Sequence, residues 1–219
     1  MSAQAVLFDM DGVLVDSEPT WYEVERALVE GMGGTWSSED QAKCIGGTVD
    51  WFCRYVIELT GSSRTPEDVE IEVLESMAAR FSDALVIHEG ALELVDAVRA
   101  HGARTALVTS SYRALVDPAL TWLGSHRFDA VITGDEVSRG KPDPAPYLTA
   151  CRALAVDPGE VVVIEDSMSG VRSAEAAGCT VVAIPSVAPI DPRPGRFVVD
   201  RISRIEAGWL LGLPTLTPS

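Results

Sequence analysis

The sequence is short of basic residues, and this shortage excludes whole classes of partner. Its 219 residues contain 17 lysines and arginines against 33 aspartates and glutamates, a formal net charge of −16. A protein that binds a nucleic acid or an anionic membrane needs a basic face, so neither partner is expected. Long hydrophobic runs are also missing, because no apolar run reaches the roughly 18–20 residues that cross a bilayer.

Cysteines are few and scattered, without a Cys-x-x-Cys pair. They are Cys44, Cys53, Cys151 and Cys179. This spacing favours reduced thiols over a disulfide framework or a zinc site. The first residues, Met-Ser-Ala-Gln, lack the basic region of a secretory signal peptide. We therefore expect a cytoplasmic protein.

The chain does contain a regular alternation of short apolar and amphipathic segments, and it is 47% hydrophobic. This length and composition suffice for one full domain with a sizeable core. Apolar, β-branched runs predict strands that are buried on both faces. These strands are Ala5–Phe8, Thr105–Val108, Ala130–Ile132, Val161–Ile164 and Thr180–Ile184. Helical patterns occupy Ala91–Ala100, Tyr112–Leu123, Ala145–Leu154 and Ser169–Ala177. The alternation predicts an α/β fold around an open, Rossmann-like parallel sheet.

The stretch from about Asp16 to Ala84 has no strand-like run. Its helical patterns are Trp21–Glu30, Val49–Leu59 and Pro66–Ser82. We predict an all-helical cap over residues 16–84, inserted into a core formed by residues 1–15 and 85–219. Tryptophans in this stretch favour packing of the cap interior over stacking on a substrate. They are Trp21, Trp36 and Trp51. A short strand at Phe197–Val199 and a last helix near Ser203–Leu211 complete the prediction.

Two aspartates stand at the end of the first predicted strand. Asp9 and Asp11 are two residues apart, at the strand end that faces the ligand crevice in open α/β sheets. Two acids there without a basic neighbour repel each other, so we expect a cation or a proton with them. Gly12 directly follows the second aspartate, which excludes the spacing of an EF-hand loop. A solvated turn is the remaining alternative.

Hydroxyl groups and a lysine accompany the later strands. Thr109, Ser110 and Ser111 end the second strand before a helical pattern, which is typical of an anion site or of an ordinary helix cap. Lys141 lies in the loop Gly-Lys-Pro-Asp-Pro, where it is either a point charge for one phosphate or an exposed surface lysine. Pro142 occupies the position at which a P-loop requires Ser or Thr, so a P-loop is excluded.

A second pair of carboxylates, Glu165 and Asp166, ends the fourth strand. Oxygen ligands of this kind suit Mg²⁺, although Asp166 also fits a helix cap. All four segments follow predicted strands, so one crevice would collect them. Carboxylates, a divalent cation and a lysine gathered there favour a phosphate dianion as the ligand.

Taken in order, these four motifs resemble those of the haloacid dehalogenase superfamily. The first motif reads Asp-Met-Asp-Gly-Val-Leu-Val-Asp-Ser-Glu. Its Asp-Ser-Glu-Pro continuation and the helical insert resemble the phosphoglucomutase-like branch, which has a small helical cap. The similarity extends over nearly the whole chain, to about Ser186.

The resemblance implies a role for each motif residue. Asp9 would be the nucleophile that forms an aspartyl-phosphate, and Asp11 would be the general acid and then the general base. Thr109, with the backbone of Ser110, would hold the phosphoryl oxygens. Lys141 would bridge the phosphate and the carboxylate of Asp9.

The resemblance also implies a Mg²⁺ site. Its ligands would be Asp9, the backbone carbonyl of Asp11, and Asp166, with Glu165 nearby or acting through water. Dehalogenases of this family lack the second aspartate and the metal, so phosphoryl transfer is favoured. Because general acid–base help is worth about 10²–10⁴-fold, loss of Asp11 should cripple turnover.

Among phosphoryl-transfer reactions, the sequence favours hydrolysis over a mutase reaction. Related β-phosphoglucomutases hold the distal phosphate with a cap arginine, which is absent from the matching segment 44–50. A histidine expected early in the cap is replaced by Trp21. We therefore expect a Mg²⁺-dependent phosphatase for a small phosphomonoester such as a sugar phosphate. The alternatives are a β-phosphoglucomutase-type mutase and a non-catalytic phosphometabolite-binding protein.

The cap is expected to select the substrate. Gly46, Gly47 and Thr48 are the best candidates for contact with the leaving group, and a plain helix–helix turn fits them equally well. The expected partner is a small phosphorylated metabolite. A monomer is favoured, with a dimer as the alternative.

Overall fold

The computed structural model describes residues 2–44, 48–186 and 188–214, and within them a six-stranded sheet forms the centre. Its strands are β1 (Ala5–Phe8), β2 (Arg104–Val108), β3 (Ala130–Ile132), β4 (Val161–Glu165), β5 (Thr180–Ala183) and β6 (Arg196–Val198). They lie in the order β3-β2-β1-β4-β5-β6, and every neighbouring pair is parallel. The predicted α/β fold is confirmed, and each predicted strand agrees with the structure to within one residue at either end.

Helices cover the sheet and fill the insertion. They are α1 (Glu18–Gly31), α2 (Ser38–Cys44), α3 (Val49–Thr60), α4 (Pro66–Asp83), α5 (Ala91–Ala100), α6 (Arg113–Leu123), α7 (Ala145–Leu154), α8 (Met168–Ala176) and α9 (Ala207–Leu211). Helix α2 was not predicted, because its sequence, Ser-Glu-Asp-Gln-Ala-Lys-Cys, buries no residue and has no apolar periodicity. Helix α9 is shorter than predicted, since residues 202–204 form a separate 3-10 turn. Within the described ranges, no helix has the length and apolar character to cross a membrane.

Apolar side chains from the two faces of the sheet enter separate hydrophobic clusters. Along β1, Val6 and Phe8 join a cluster that continues into the insertion. Ala5 and Leu7 join the cluster beneath α7 and α8. Every residue of β1 is fully buried, which explains its uninterrupted apolar sequence. This burial fixes the position at which the next residue, Asp9, leaves the sheet.

Helices α1–α4 form the inserted helical cap. Helix α4 begins after Thr65, whose hydroxyl accepts the N–H of Asp68 at 3.2 Å. Its buried residues recur every four positions, at Val69, Val73, Met77 and Phe81. The cap contacts the core where the indole N–H of Trp122 on α6 donates to the carbonyl of Phe81 at 2.8 Å.

Two connections join the cap to the sheet domain, and they run side by side. The N–H of Asp16 donates to the carbonyl of Val86 at 2.9 Å, and the N–H of His88 donates to that of Leu14 at 2.9 Å. Because the outgoing and returning chains are tied together, the beginning of α1 is held close to the end of β1.

Candidate active site

The end of β1 brings Asp9 against Lys141, which comes from a distant loop. Lys141 Nζ donates to Asp9 Oδ1 at 2.8 Å, to Glu165 Oε1 at 2.6 Å and to the carbonyl oxygen of Val108 at 3.0 Å. The Lys141 side chain is 4% exposed. A buried ammonium group is stable only when it is paired, so these three acceptors determine where the lysine lies.

Glu165, at the end of β4, is fully buried and has partners on both oxygens. Besides Lys141, its Oε1 accepts the hydroxyl of Tyr147 at 2.6 Å. Its Oε2 accepts the N–H of Asp166 at 3.1 Å and that of Ser167 at 3.3 Å. The glutamate therefore holds the lysine on one side and the loop before α8 on the other. A Cβ at Gly170 would overlap its carboxylate, so only glycine fits there.

Asp11 has hydroxyl donors on both carboxylate oxygens. Ser17 Oγ donates to Oδ1 at 2.6 Å, and Ser111 Oγ donates to Oδ2 at 2.7 Å. Thr109 Oγ1 makes a longer contact of 3.3 Å with Oδ2 and accepts the N–H of Ser111 at 3.0 Å. Ser17 precedes α1 but makes no cap hydrogen bond, because its hydroxyl is directed to Asp11.

The turn after β1 leaves little space beside Asp166. Gly12 has a φ of +77°, and a Cβ on it would collide with the Asp166 carboxylate. The same carboxylate accepts the hydroxyl of Ser186 at Oδ2, at 2.6 Å. Glycine thus meets two needs here, a left-handed backbone conformation and close approach of a carboxylate.

Burial and like charge control the protonation of the acidic groups. Burial raises the pKa of Asp9 well above its usual range, Lys141 opposes this rise, and Glu165, Asp166 and Asp11 add to it. Burial, then Glu165, raises the pKa of Asp166 to about 7. Burial by itself would lower the pKa of Lys141, but Asp9 and Glu165 outweigh it, so the net change is upward. The Lys141 side chain is therefore positively charged and contacts the carboxyl groups of Asp9 and Glu165.

The acidic cluster suits a hard divalent cation. One carboxylate oxygen from each of Asp9, Glu165 and Asp166 lies within 4.8 Å of the others. Carboxylate oxygens are what Mg²⁺ prefers, and it takes only a few of them because it retains water ligands. The donor set on these residues therefore fits the ion that the sequence indicates. Glu165 differs from the other two in having hydrogen-bond partners on both of its oxygens.

The structure brings most of the predicted residues to one end of the sheet and leaves some apart. Asp9, Asp11, Thr109, Lys141, Glu165 and Asp166 meet there. Ser110 is next to them with an exposed side chain. Thr48 caps α3 by accepting the N–H of Trp51 at 3.2 Å, as the alternative of a helix–helix turn predicts. Gly46 and Gly47 lie outside the described residues.

The sequence did not indicate the contacts that three residues make with Asp11 and Glu165. Ser17 and Ser111 resemble ordinary helix-start residues, and only their distance from Asp11 reveals another use. The hydroxyl run at positions 109–111 was a usable signal for Ser111. Tyr147 is a fully buried residue of α7, and its sequence context does not distinguish it from any other core aromatic residue.

The fold and this cluster define a class: a Rossmann-like α/β core with paired aspartates at the end of the strand β1 in the middle of the sheet. The model of the haloacid dehalogenase-like hydrolase family matches residues 6–184. The chain belongs to this family, and within it to the phosphoric monoester hydrolases with a helical cap.

Relatives agree with this assignment. The phosphorylated carbohydrates phosphatase of Thermotoga maritima is 34% identical over 176 residues, which cover 80% of this chain and 82% of the relative. Fructose-1-phosphate phosphatase YqaB of Escherichia coli is 32% identical over 183 residues, with 82% and 95% covered. The solved structure of CbbY from Rhodobacter sphaeroides with phosphate superposes with a TM-score of 0.82 at 23% identity, covering 92% of this chain and 96% of that one. At 23% identity, the similarity to the CbbY structure shows a shared fold and nothing further.

Proposed function

We propose that this protein is a Mg²⁺-dependent phosphatase that hydrolyses a small phosphorylated carbohydrate through an aspartyl-phosphate on Asp9. The observation that carries the proposal is the pairing of Asp9 with Lys141 at 2.8 Å, beside a second aspartate with hydroxyl donors of its own. Relatives named as phosphatases of phosphorylated carbohydrates and of fructose 1-phosphate support the substrate class.

The first step is attack by Asp9 on the phosphorus atom. Phosphoryl transfer needs positioning and charge neutralisation more than elaborate covalent chemistry. Lys141 touches Asp9 Oδ1 and would also face an incoming phosphate, so it reduces the repulsion between two anions. Thr109 and the backbone of Ser110 end the neighbouring strand, where they would bind the phosphoryl oxygens.

Asp11 is suited to exchange a proton with the leaving oxygen. It would protonate that oxygen as the ester bond breaks and then take a proton from the water that hydrolyses the aspartyl-phosphate. Ser17 and Ser111 hold both of its oxygens, and a hydroxyl group both donates and accepts. The two serines therefore support Asp11 in either protonation state, which general acid–base catalysis requires.

The metal would be held by Asp9 and Asp166 and by the backbone carbonyl of Asp11, with Glu165 nearby or acting through water. When bound, Mg²⁺ supplies positive charge that screens the phosphate from the surrounding carboxylates. The ligand roles of Asp11 and Glu165 rest on the family resemblance. Geometry supports Asp9 and Asp166, whose carboxylates approach each other in the acidic cluster.

The cap would close the crevice above these groups. We propose that residues 16–84 form this cap and that the paired connections beside Asp16 act as its hinge. A mutase reaction is not favoured, because the chain has no arginine where related mutases hold a second phosphate. Inorganic phosphate is accordingly the expected product.

The decisive experiment measures phosphate release from p-nitrophenyl phosphate and from a panel of sugar phosphates. With Mg²⁺ present, we expect turnover by the wild-type protein and none by Asp9→Asn. Asp11→Asn should lose about 10²–10⁴-fold in kcat and still bind Mg²⁺ in calorimetry. Substantial activity of Asp9→Asn, or conversion of a sugar 1-phosphate to its 6-phosphate without release, would contradict the proposal.

A further inference from the structure

Tyr147 on α7 is a fully buried aromatic residue whose hydroxyl group reaches the charged groups of the site. Its ring belongs to the cluster beneath α7 and α8, whose members include Leu7 and Val163. This cluster is apolar, so it accounts for the ring and not for the hydroxyl group. The hydroxyl donates to Glu165 Oε1 at 2.6 Å. The reason for a tyrosine rather than a phenylalanine at this position therefore lies with Glu165.

Tyr147 and Lys141 meet at the same carboxylate oxygen. Lys141 Nζ also donates to Glu165 Oε1, at 2.6 Å, and this Nζ lies 5.2 Å from the centre of the Tyr147 ring. A cation within about 6 Å of the face of an aromatic ring is attracted to it. Tyr147 therefore acts on the lysine in two ways, directly through its ring and indirectly through the oxygen that both groups share.

The lysine is shared between two carboxylates, of which Asp9 is the proposed nucleophile. Its Nζ is 2.8 Å from Asp9 Oδ1 and 2.6 Å from Glu165 Oε1. A hydroxyl group that donates to a carboxylate stabilises the negative charge of that carboxylate. Glu165 therefore attracts the lysine less strongly while the Tyr147 hydroxyl is bonded to it. Without this hydroxyl, Lys141 would be drawn towards Glu165 and away from Asp9.

Burial makes this balance sensitive to one hydrogen bond. Tyr147 and Glu165 are fully buried, and the side chain of Lys141 is nearly so. In surroundings of low dielectric constant, hydrogen bonds to charged groups are stronger than in water, and bulk solvent does not replace a missing donor. The position of the lysine charge is therefore set by the protein groups around it.

We propose that Tyr147 is a positioning residue, which weakens the hold of Glu165 on Lys141 and so keeps the positive charge on Asp9 and on the phosphate that Asp9 attacks. The proposal rests on the proposed phosphatase function, in which Lys141 reduces the repulsion between these two anions. Loss of the hydroxyl group should slow the chemical step. It should leave substrate binding unchanged, because the groups that hold the phosphoryl oxygens are left in place.

The cap contains a matched arrangement of a tyrosine, a carboxylate and a lysine. Tyr55 donates to Asp40 Oδ1 at 2.6 Å, Lys43 Nζ lies 3.2 Å from the same oxygen, and this Nζ is 5.3 Å from the centre of the Tyr55 ring. The group includes none of the residues assigned to catalysis, and the Lys43 side chain is 54% exposed. Tyr55→Phe therefore makes the same chemical change outside the site.

Steady-state kinetics on p-nitrophenyl phosphate with saturating Mg²⁺ test the proposal. Tyr147→Phe should lower kcat about tenfold or more, the effect of one hydrogen bond to a charged group. Its KM should stay within about twofold of the wild-type value, because the lost interaction acts on the attack and not on binding. Tyr55→Phe is the matched control and should change neither constant.

Unnatural amino acids at position 147 separate the hydrogen bond from the packing. 4-Aminophenylalanine keeps the ring and presents an N–H donor to Glu165, so it should restore kcat to within about threefold of the wild-type value. 4-Fluorophenylalanine has nearly the same size and no donor, so it should behave like Tyr147→Phe. If Tyr147→Phe does not fold, the comparison of these two analogues decides.

Three results would overturn the proposal. They are an unchanged kcat in Tyr147→Phe, equal kcat values with the two analogues, and a rise in KM as large as the fall in kcat. Any of them, in a protein whose wild type hydrolyses p-nitrophenyl phosphate, makes Tyr147 a packing residue and leaves the phosphatase proposal intact. Inactivity of the wild-type protein on every phosphate ester refutes the proposed function instead.

Discussion

The buried carboxyl of Glu25 makes the stability of the protein depend on pH in a way that one substitution removes. Its pKa rises from an ordinary 4.5 to about 8, first because of burial and then because of Glu18, with Trp36 opposing the rise. The folded protein therefore binds this proton more tightly than the unfolded chain does. Stability falls as pH increases from about 4.5 to 8, because ionisation of Glu25 then opposes folding.

The size of the effect follows from the shift. Each pKa unit corresponds to about 1.4 kcal/mol, so the change from 4.5 to about 8 gives a penalty of about 5 kcal/mol at pH 9 and about 1 kcal/mol at pH 5. Glu25→Gln abolishes the ionisation. Relative to the wild-type protein, the variant should gain about 4 kcal/mol in its free energy of unfolding between pH 5 and pH 9.

Urea denaturation followed by tryptophan fluorescence measures this difference, and Trp36 reports from beside the substituted group. Every other titrating residue is common to both proteins, so the difference between the two reports Glu25 and its coupling to Glu18. Glu23→Gln makes the same chemical change at an exposed position of the same helix, α1, and is the matched control. A difference between Glu25→Gln and the wild-type protein that is the same at pH 5 and pH 9 would refute the assigned burial and protonation of Glu25.

Further predictions concern the residues around Asp9, Asp11 and Glu165 at the carboxyl end of the sheet. Gly170→Ala places a methyl group against the buried carboxylate of Glu165 and should lower the free energy of unfolding by about 1–3 kcal/mol in urea denaturation. The methyl group of Gly31→Ala meets open space, so this variant should be as stable as the wild-type protein or more so. Equal effects of the two would contradict the packing described. Ser111→Ala removes a hydroxyl donor from Asp11 and should lower kcat on p-nitrophenyl phosphate about tenfold. Ser110→Ala changes an exposed side chain and should leave kcat within about twofold. A larger loss in Ser110→Ala than in Ser111→Ala would show that the Ser111 hydroxyl does not support Asp11. Chelation with EDTA should abolish turnover and added Mg²⁺ restore it, and full activity after chelation would remove the metal from the mechanism.

Much of the fold could be predicted from the sequence because the patterns that indicate strands and helices are local. A strand buried on both faces must be apolar throughout, as β1 is, and a helix against a sheet must repeat its apolar residues. Helix α2 was not predicted because it is polar on every side and has no buried residue. Its formation depends on its surroundings, such as the contact of Gln41 Nε2 with the carbonyl oxygen of Glu18.

The order of strands and helices along the chain was enough to predict which acidic side chains would meet, because parallel strands present their carboxyl ends at one edge of the sheet. Asp9, Asp11, Thr109 and the pair that ends β4 follow from that rule, whereas Lys141 lies in a loop well beyond the end of β3. The contacts that each of these side chains makes could be seen only in the folded chain. There, Glu165 is paired with Lys141 and Tyr147, since a buried ammonium group must find acceptors wherever the packing provides them. Burial and the partners of a polar group are properties of the packed chain, which no local pattern of residues encodes.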